Sequence, residues 1–212
     1  MKRRWLAPIL LLPVLAATVA VAAEAPAAAK LRRPGKTVTE YKDGKVHVVV
    51  SYRWANGHLE DRWTFFEVAL RSTSDKAVDV DREDVSLTLP DGSRLNLPSQ
   101  KRLAEGLTDV RWLMQKAALS RDPIDGYFPG TRRTQELRFF TIPGEAITFD
   151  RVEVSREVIA QGDLFFESPL GKFPPGTYVL GIRNKQVDVE IPIRLPAPDW
   201  PEKEKDPKAV SW

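Results

Sequence analysis

Val46, Val48, Val50 and Tyr52 recur at every second position, with His47, Ser51 and Arg53 between them. That is the period of a strand with one buried face. A second strand is predicted over Trp63–Ser72, with Phe66, Val68 and Leu70 on one side, and Val78 and Val80 begin a short third. Val85, Leu87 and Leu89 alternate up to Pro90-Asp91-Gly92, and Leu95 and Leu97 alternate after it. Strand, Asp-Gly turn, strand reads as a hairpin, because glycine accepts the positive φ that such a turn needs. Leu137, Phe139 and Thr141 stop at Pro143-Gly144, and Ile147 and Phe149 lead to Val152 and Val154. Leu164 and Phe166 precede a loop, and Tyr178, Leu180 and Ile182 form one further strand. Val187, Val189, Ile191, Ile193 and Leu195 alternate without a miss against Asp188, Glu190 and Arg194, the clearest element in the chain. About eight to ten short strands separated by Gly/Pro turns predict a mainly β protein, an antiparallel sandwich.

One segment has a different period. Between Ser99 and Arg121 there is no proline, and Leu103, Leu107, Val110, Leu113, Met114 and Ala117 fall three and four residues apart. Ser99 suits an N-cap and Asp122-Pro123 a stop, so an amphipathic helix is expected over residues 99–121, either continuous or interrupted at Gly106. Inserted between strands, it must lie across a sheet edge or an open end.

The ends change the electrostatic picture. Lys2, Arg3 and Arg4 precede an uncharged run, Trp5–Ala23, that closes in small residues, which is the pattern of a signal peptide over 1–23. Cleavage near Ala22 or Ala23 is the favoured reading, and an uncleaved anchor is the alternative. The full chain has 32 Lys+Arg against 29 Asp+Glu, a net of +3. Taking away the three basic residues of that segment leaves 29 of each, so the sequence pI near 9.1 belongs to the leader. A neutral domain offers no general basic surplus for nucleic acid. There is no cysteine, hence no disulfide and no lipoprotein acylation site. An exported chain without disulfides fits a bacterial periplasm or secretome and must rest on a packed core. Residues 24–36 read as a linker, 37–196 as the domain, and 197–212, with three prolines and the run Glu202–Asp206, as a flexible tail.

Phe66–Val78, with its Ser74-Asp75-Lys76 turn, followed by Val85–Leu89 and Pro90-Asp91-Gly92, resembles the telokin-like, immunoglobulin-type domains of bacterial exported proteins. Gly162–Glu167 and Pro174–Leu180 match the later strands of that pattern, and Tyr178 stands where a sandwich-corner tyrosine is found. The resemblance spans residues 45–195 apart from the helix. It implies an immunoglobulin-like sandwich and carries no catalytic residues, because that group shares no chemistry.

Candidate chemistry is sparse. His47, on the outward face of its strand, and His58, after Asn56-Gly57, read as surface residues. With two histidines and no cysteine, a His/Cys zinc site is excluded. No Gly-x-Ser-x-Gly elbow or phosphate loop is present. Asp79 and Asp81 share a strand face that suits calcium. The EF-hand spacing is missing, however, and Lys76 and Arg82 interrupt the acidic run from Asp75 to Asp84, which reads as a solvated strand and turn. No cofactor is expected. Trp54 and Trp63 flank Asn56-Gly57, and they either fill the core or present an aromatic patch. Arg111 and Trp112 fall off the helix's apolar stripe, and Tyr127 and Phe128 make an aromatic turn beyond it; these six residues are the candidate binding residues. The expectation is a non-enzymatic binding or scaffolding module of the bacterial cell envelope, periplasmic or secreted, with a protein or glycan partner. Its membrane contact would be limited to an uncleaved leader. The alternatives are an accessory or chaperone-like subunit using the Val187–Leu195 strand as an open edge, and a carboxylate-dependent hydrolase.

Overall fold

The computed structural model describes residues 30–130 and 133–198; the expected leader 1–23, residues 24–29 of the expected linker, and most of the expected C-terminal tail lie outside the described residues. The chain is mainly β, with several antiparallel sheets and three helices. In chain order the elements are β1 Lys30–Gly35, β2 Val38–Lys42, β3 Val46–Ser51, α1 Arg53–Gly57, β4 Trp63–Ser72, β5 Val78–Asp81, β6 Val85–Thr88 and β7 Arg94–Asn96. They continue with α2 Gln100–Glu105, α3 Leu107–Leu119, β8 Arg133–Glu136, β9 Arg151–Val154, β10 Val158–Glu167, β11 Gly176–Arg183 and β12 Asp188–Leu195. A six-stranded sheet runs β1-β2-β3-β4-β10-β8, a four-stranded sheet β12-β11-β6-β7, and β5 pairs with β9. All pairings are antiparallel except β8 with β10.

The inner face of the six-stranded sheet follows the alternation. Val48 and Val50 of β3, Phe66, Val68 and Leu70 of β4, and Leu164 and Phe166 of β10 are buried in one cluster with Leu87, Leu180, Val189 and Ile191 of the second sheet. The 85–97 hairpin forms as expected: Gly92 takes φ 85°, and Leu89 N–H donates to Ser93 O at 2.8 Å. The Tyr178 hydroxyl donates to the Pro174 carbonyl, pinning the loop before β11.

The outer face is covered too, and this is what alternation alone does not disclose. From one end to the other it carries an apolar patch, a polar belt and a second apolar patch. Phe65 and Phe165, cross-strand partners with ring centroids 5.9 Å apart, lie under α3, whose Val110, Leu113 and Ala117 are buried in the same cluster. Next come Ser51, Glu67 and Asp163 in one cross-strand row. Beyond them Val38, Val49, Ala69 and Ile159 form a second cluster, closed by Ile124 of the 3-10 turn Ile124–Tyr127 and by Phe128 directly after it. The chain leaving α3 therefore crosses the polar belt before it packs again.

Several expectations change here. The 99–121 helix breaks at Gly106 into α2 and α3. Ser99 does cap it, accepting Arg102 N–H at 3.1 Å. A Cβ on Gly106 would stand 3.0 Å from Cζ2 of Trp63, so the break is where that indole packs closest. Residues 30–35, expected as linker, form β1 against β2: the two-residue turn Lys36-Thr37 reverses the chain, and exposed basic residues suffice on an edge strand that has no core to fill. Leu137, Phe139 and Phe140 are buried, but residues 137–141 are not a strand. Their backbone is held by isolated bonds, Leu137 N–H to Gln161 O and Gln100 Nε2–H to Thr141 O, where a strand would have a ladder. Ile147 and Phe149 stay exposed. His47 is 2% exposed, not a surface residue, because Phe128 lies on it with ring centroids 4.4 Å apart.

Candidate functional site

Trp112 is the feature around which the site is built. It lies on the flank of α3 away from the buried stripe and is 50% exposed, whereas Trp54 and Trp63 are buried. Trp54 lies on α1, the short helix that carries Asn56-Gly57 between β3 and β4. Its indole meets Trp112 edge-on, with centroids 5.8 Å apart, and stacks flat on His58 at 3.6 Å. His58 Nδ1 lies 2.9 Å from the Trp54 carbonyl, which fixes the ring there. Trp112, Trp54 and Phe65, the last 5.8 Å from Trp54, thus form one aromatic group, buried at Trp54 and Phe65 and half-exposed at Trp112.

Beside Trp112 is a groove of about 500 Å³ between two walls. The stretch Glu60–Trp63, leading into β4, makes one wall; Thr108, Asp109, Trp112 and Leu113 of α3 make the other. The rim carries three carboxylates against one guanidinium. Arg62 is already engaged, 2.7 Å from Glu167, and that carboxylate also binds Arg102 of α2, which holds it below its usual range. Glu60 lies 3.9 Å from exposed Lys172. Asp61 and Asp109 take part in no ion pair among the described residues, and Asp61 Oδ2 is shut from solvent without a hydrogen-bond donor. Asp109 also sits in the first turn of α3, where a negative charge is favoured.

The other candidates fall elsewhere. Arg111 is exposed and borders a shallower depression of about 270 Å³ on the far side of Trp112. Tyr127 and Phe128 are not in the groove: Phe128 is buried over His47, and Tyr127 packs at the margin of that cluster. They close the sheet's outer face because the chain after α3 must cover apolar β3 and β4 residues. Asp81, half of the candidate calcium pair, is chelated by Arg151 at 2.6 and 3.0 Å, which lowers its pKa. Among the described residues no group of acidic or histidine side chains is arranged to hold a metal ion.

The sequence reading missed the polar belt. Glu67 Oε2 accepts the Asp122 backbone N–H at 3.0 Å, while its Oε1 has no partner. Ser51 donates to Asp122 Oδ2 at 2.6 Å, and Arg53 sits 3.1 Å from Oδ1. Arg121 grips Asp163 with two bonds, 3.1 and 2.6 Å. Burial pushes Glu67 up to about 7, with Asp163 and Asp122 adding in the same direction, so it is largely protonated below neutrality. Burial also raises Asp163, against the pull of Arg121. The available signal was Glu67 itself, a carboxylate centred in an otherwise apolar strand. Burial lowers His47, against the raising effect of Glu40 at 2.9 Å.

No family model, curated protein or solved structure matches this chain. No helix among the described residues is long and apolar enough to cross a membrane.

Proposed function

We propose that this protein is a non-enzymatic recognition module of the bacterial cell envelope, exported by its N-terminal leader, which holds a protein or glycan partner in the groove beside Trp112. The observation that carries the reading is the half-exposed Trp112 on an otherwise buried aromatic group at a cavity mouth. Exposing so much indole costs solubility and contributes little to the fold, which is the signature of a contact surface. An immunoglobulin-like sandwich is the proposed frame, supported by the Asp91-Gly92 hairpin and the Tyr178 bond to Pro174; the strands β1 and β8 are additions to it. The shifted carboxylates of the polar belt are taken up in holding Asp122 and Arg121, and Glu67 and Asp163 do not line this groove.

The accessory-subunit alternative relied on an open, uncharged edge. β12 is an edge strand, but it carries Asp188, Glu190 and Arg194 on its exposed side and Pro192 within it, devices that discourage strand addition. The hydrolase alternative has one observation in its favour: Asp163 and Glu136 border a second cavity of about 350 Å³. Hydrolysis of a glycan that is lost in Asp163→Asn and unaffected by Trp112→Ala would establish that alternative.

The test is binding to peptide and glycan libraries by the purified protein and by Trp112→Ala. At least one ligand class should lose roughly tenfold or more in affinity, the effect of removing an anchor residue. Identical profiles for the two proteins would remove the groove from consideration.

A further inference from the structure

Resting on that reading of the groove, we infer that its ligand is an arginine side chain of an extended peptide segment, seated flat on Trp112 with its guanidinium against Asp61 and Asp109. The argument is charge complementarity combined with shape. A groove walled by indole and rimmed by three carboxylates repels phosphate and sulfate groups and attracts a cation. The single basic side chain on the rim, Arg62, is spent on Glu167, so it does not neutralise the acids. Asp61 and Asp109 both line the groove and take part in no ion pair among the described residues, so their charge is left for an entering cation. Lys116, one turn further along α3, already places its Nζ 5.6 Å from the Trp112 ring centroid, within the range at which a cation is attracted to an indole face.

Arginine fits better than lysine for two physical reasons. Its guanidinium is planar and stacks on an indole, while its forked N–H groups bond a carboxylate in pairs. It is also more weakly hydrated than an ammonium, so it loses less on entering a half-apolar cleft. A neutral sugar can stack on Trp112 and hydrogen-bond a rim carboxylate, but it leaves the charges of Asp61 and Asp109 uncompensated.

The probes are amidated tri-arginine and its uncharged near-isostere tri-citrulline, titrated into the full-length protein and followed by two-dimensional NMR and calorimetry, with a chitin oligosaccharide as a third arm. Tri-arginine should bind, weaken several-fold between low and 0.5 M salt, and shift the amides of residues 60–63 and 108–113. Asp61→Asn and Asp109→Asn should each weaken it about fivefold and Trp112→Ala more than tenfold, while tri-citrulline shows no binding. Tri-citrulline binding as well as tri-arginine would overturn the inference, as would tri-arginine binding that Asp61→Asn and Asp109→Asn leave unchanged. Trp112-dependent binding of the oligosaccharide alone would overturn the arginine assignment and keep the groove as the recognition site. Absence of any Trp112-dependent binding would sink both.

Discussion

The two faces of the six-stranded sheet are built from the same strands and obey different rules. The inner face is mostly apolar, with Thr39, Thr64 and Ser72 buried among its hydrophobic residues, and it meets a second sheet. The outer face is divided, with apolar patches under α3 and under the 124–128 turn and a row of Ser51, Glu67 and Asp163 between them. Each candidate for function lies on the outer side or on what covers it. Burial alone does not separate the faces, since Phe66 and Phe165 are both almost fully enclosed. What separates them is that the outer layer is chain that must also turn, cross charge and reach solvent.

The sharpest way to break this comparison is to cut one large side chain from each face. Phe66→Ala should cost about 4 kcal/mol in urea unfolding, the usual cost of an unfilled aromatic cavity. Phe165→Ala should cost a similar amount, because α3 belongs to the same packed cluster as the sheets. A loss below roughly 1.5 kcal/mol at Phe165, with a separate early transition, would show that the helical layer lifts off independently and is no second core.

The next effect tests the polar belt. Glu67 holds its proton up to about pH 7 in the folded state, whereas the unfolded side chain releases it near the ordinary glutamate value of 4.5. Between these values the native state binds the extra proton, so Glu67's contribution to stability falls as pH rises and levels off above about 7. Glu67→Gln keeps an acceptor for the Asp122 N–H and removes the ionisation. It should therefore stabilise the protein at pH 8 by up to about 3 kcal/mol and make little difference at pH 4. His47 works in the opposite sense, losing stability as pH falls below its unfolded value near 6.5, so the difference between variant and parent isolates Glu67. Parallel stability-against-pH curves for the two proteins would refute the buried-acid assignment.

The inner face was legible from sequence because alternation states directly which residues share a side. β4 and β12 appear almost where the pattern puts them. What alternation does not state is whether the opposite side is wet. His47 was read as exposed for that reason, and its cover, Phe128, comes from 81 residues further along the chain. Strands held by pairing alone, such as Lys30–Gly35 and Arg133–Glu136, leave no hydrophobic trace, while Leu137, Phe139 and Phe140 carry the trace and form no strand. Trp112 was found because it broke the helix's own stripe. Its groove was not, since the facing wall, Glu60–Trp63, is irregular chain with no period to read.

The outer layer's attachment can be graded further by Ser99→Ala, which removes the acceptor for Arg102 N–H and should cost about 1 kcal/mol, with faster hydrogen exchange confined to α2. An unchanged midpoint would mean that the Arg102–Glu167 pair alone fixes the start of the helix.

The smallest stability effect is expected at Trp112, and its smallness matters. Half of the ring is already in water, and its main partner within the fold is an edge contact with Trp54, so Trp112→Ala should cost only about 1 kcal/mol. Leu113, the next residue, faces the core, and its replacement by Ala should cost about 3 kcal/mol. The two neighbours thus provide an internal control by thermal or urea unfolding. If Trp112→Ala costs as much as Leu113→Ala, the indole is a prop for α3, and any binding lost with it reflects a displaced helix. If it costs what half-burial predicts while ligand is lost, the exposed ring face is the contact itself.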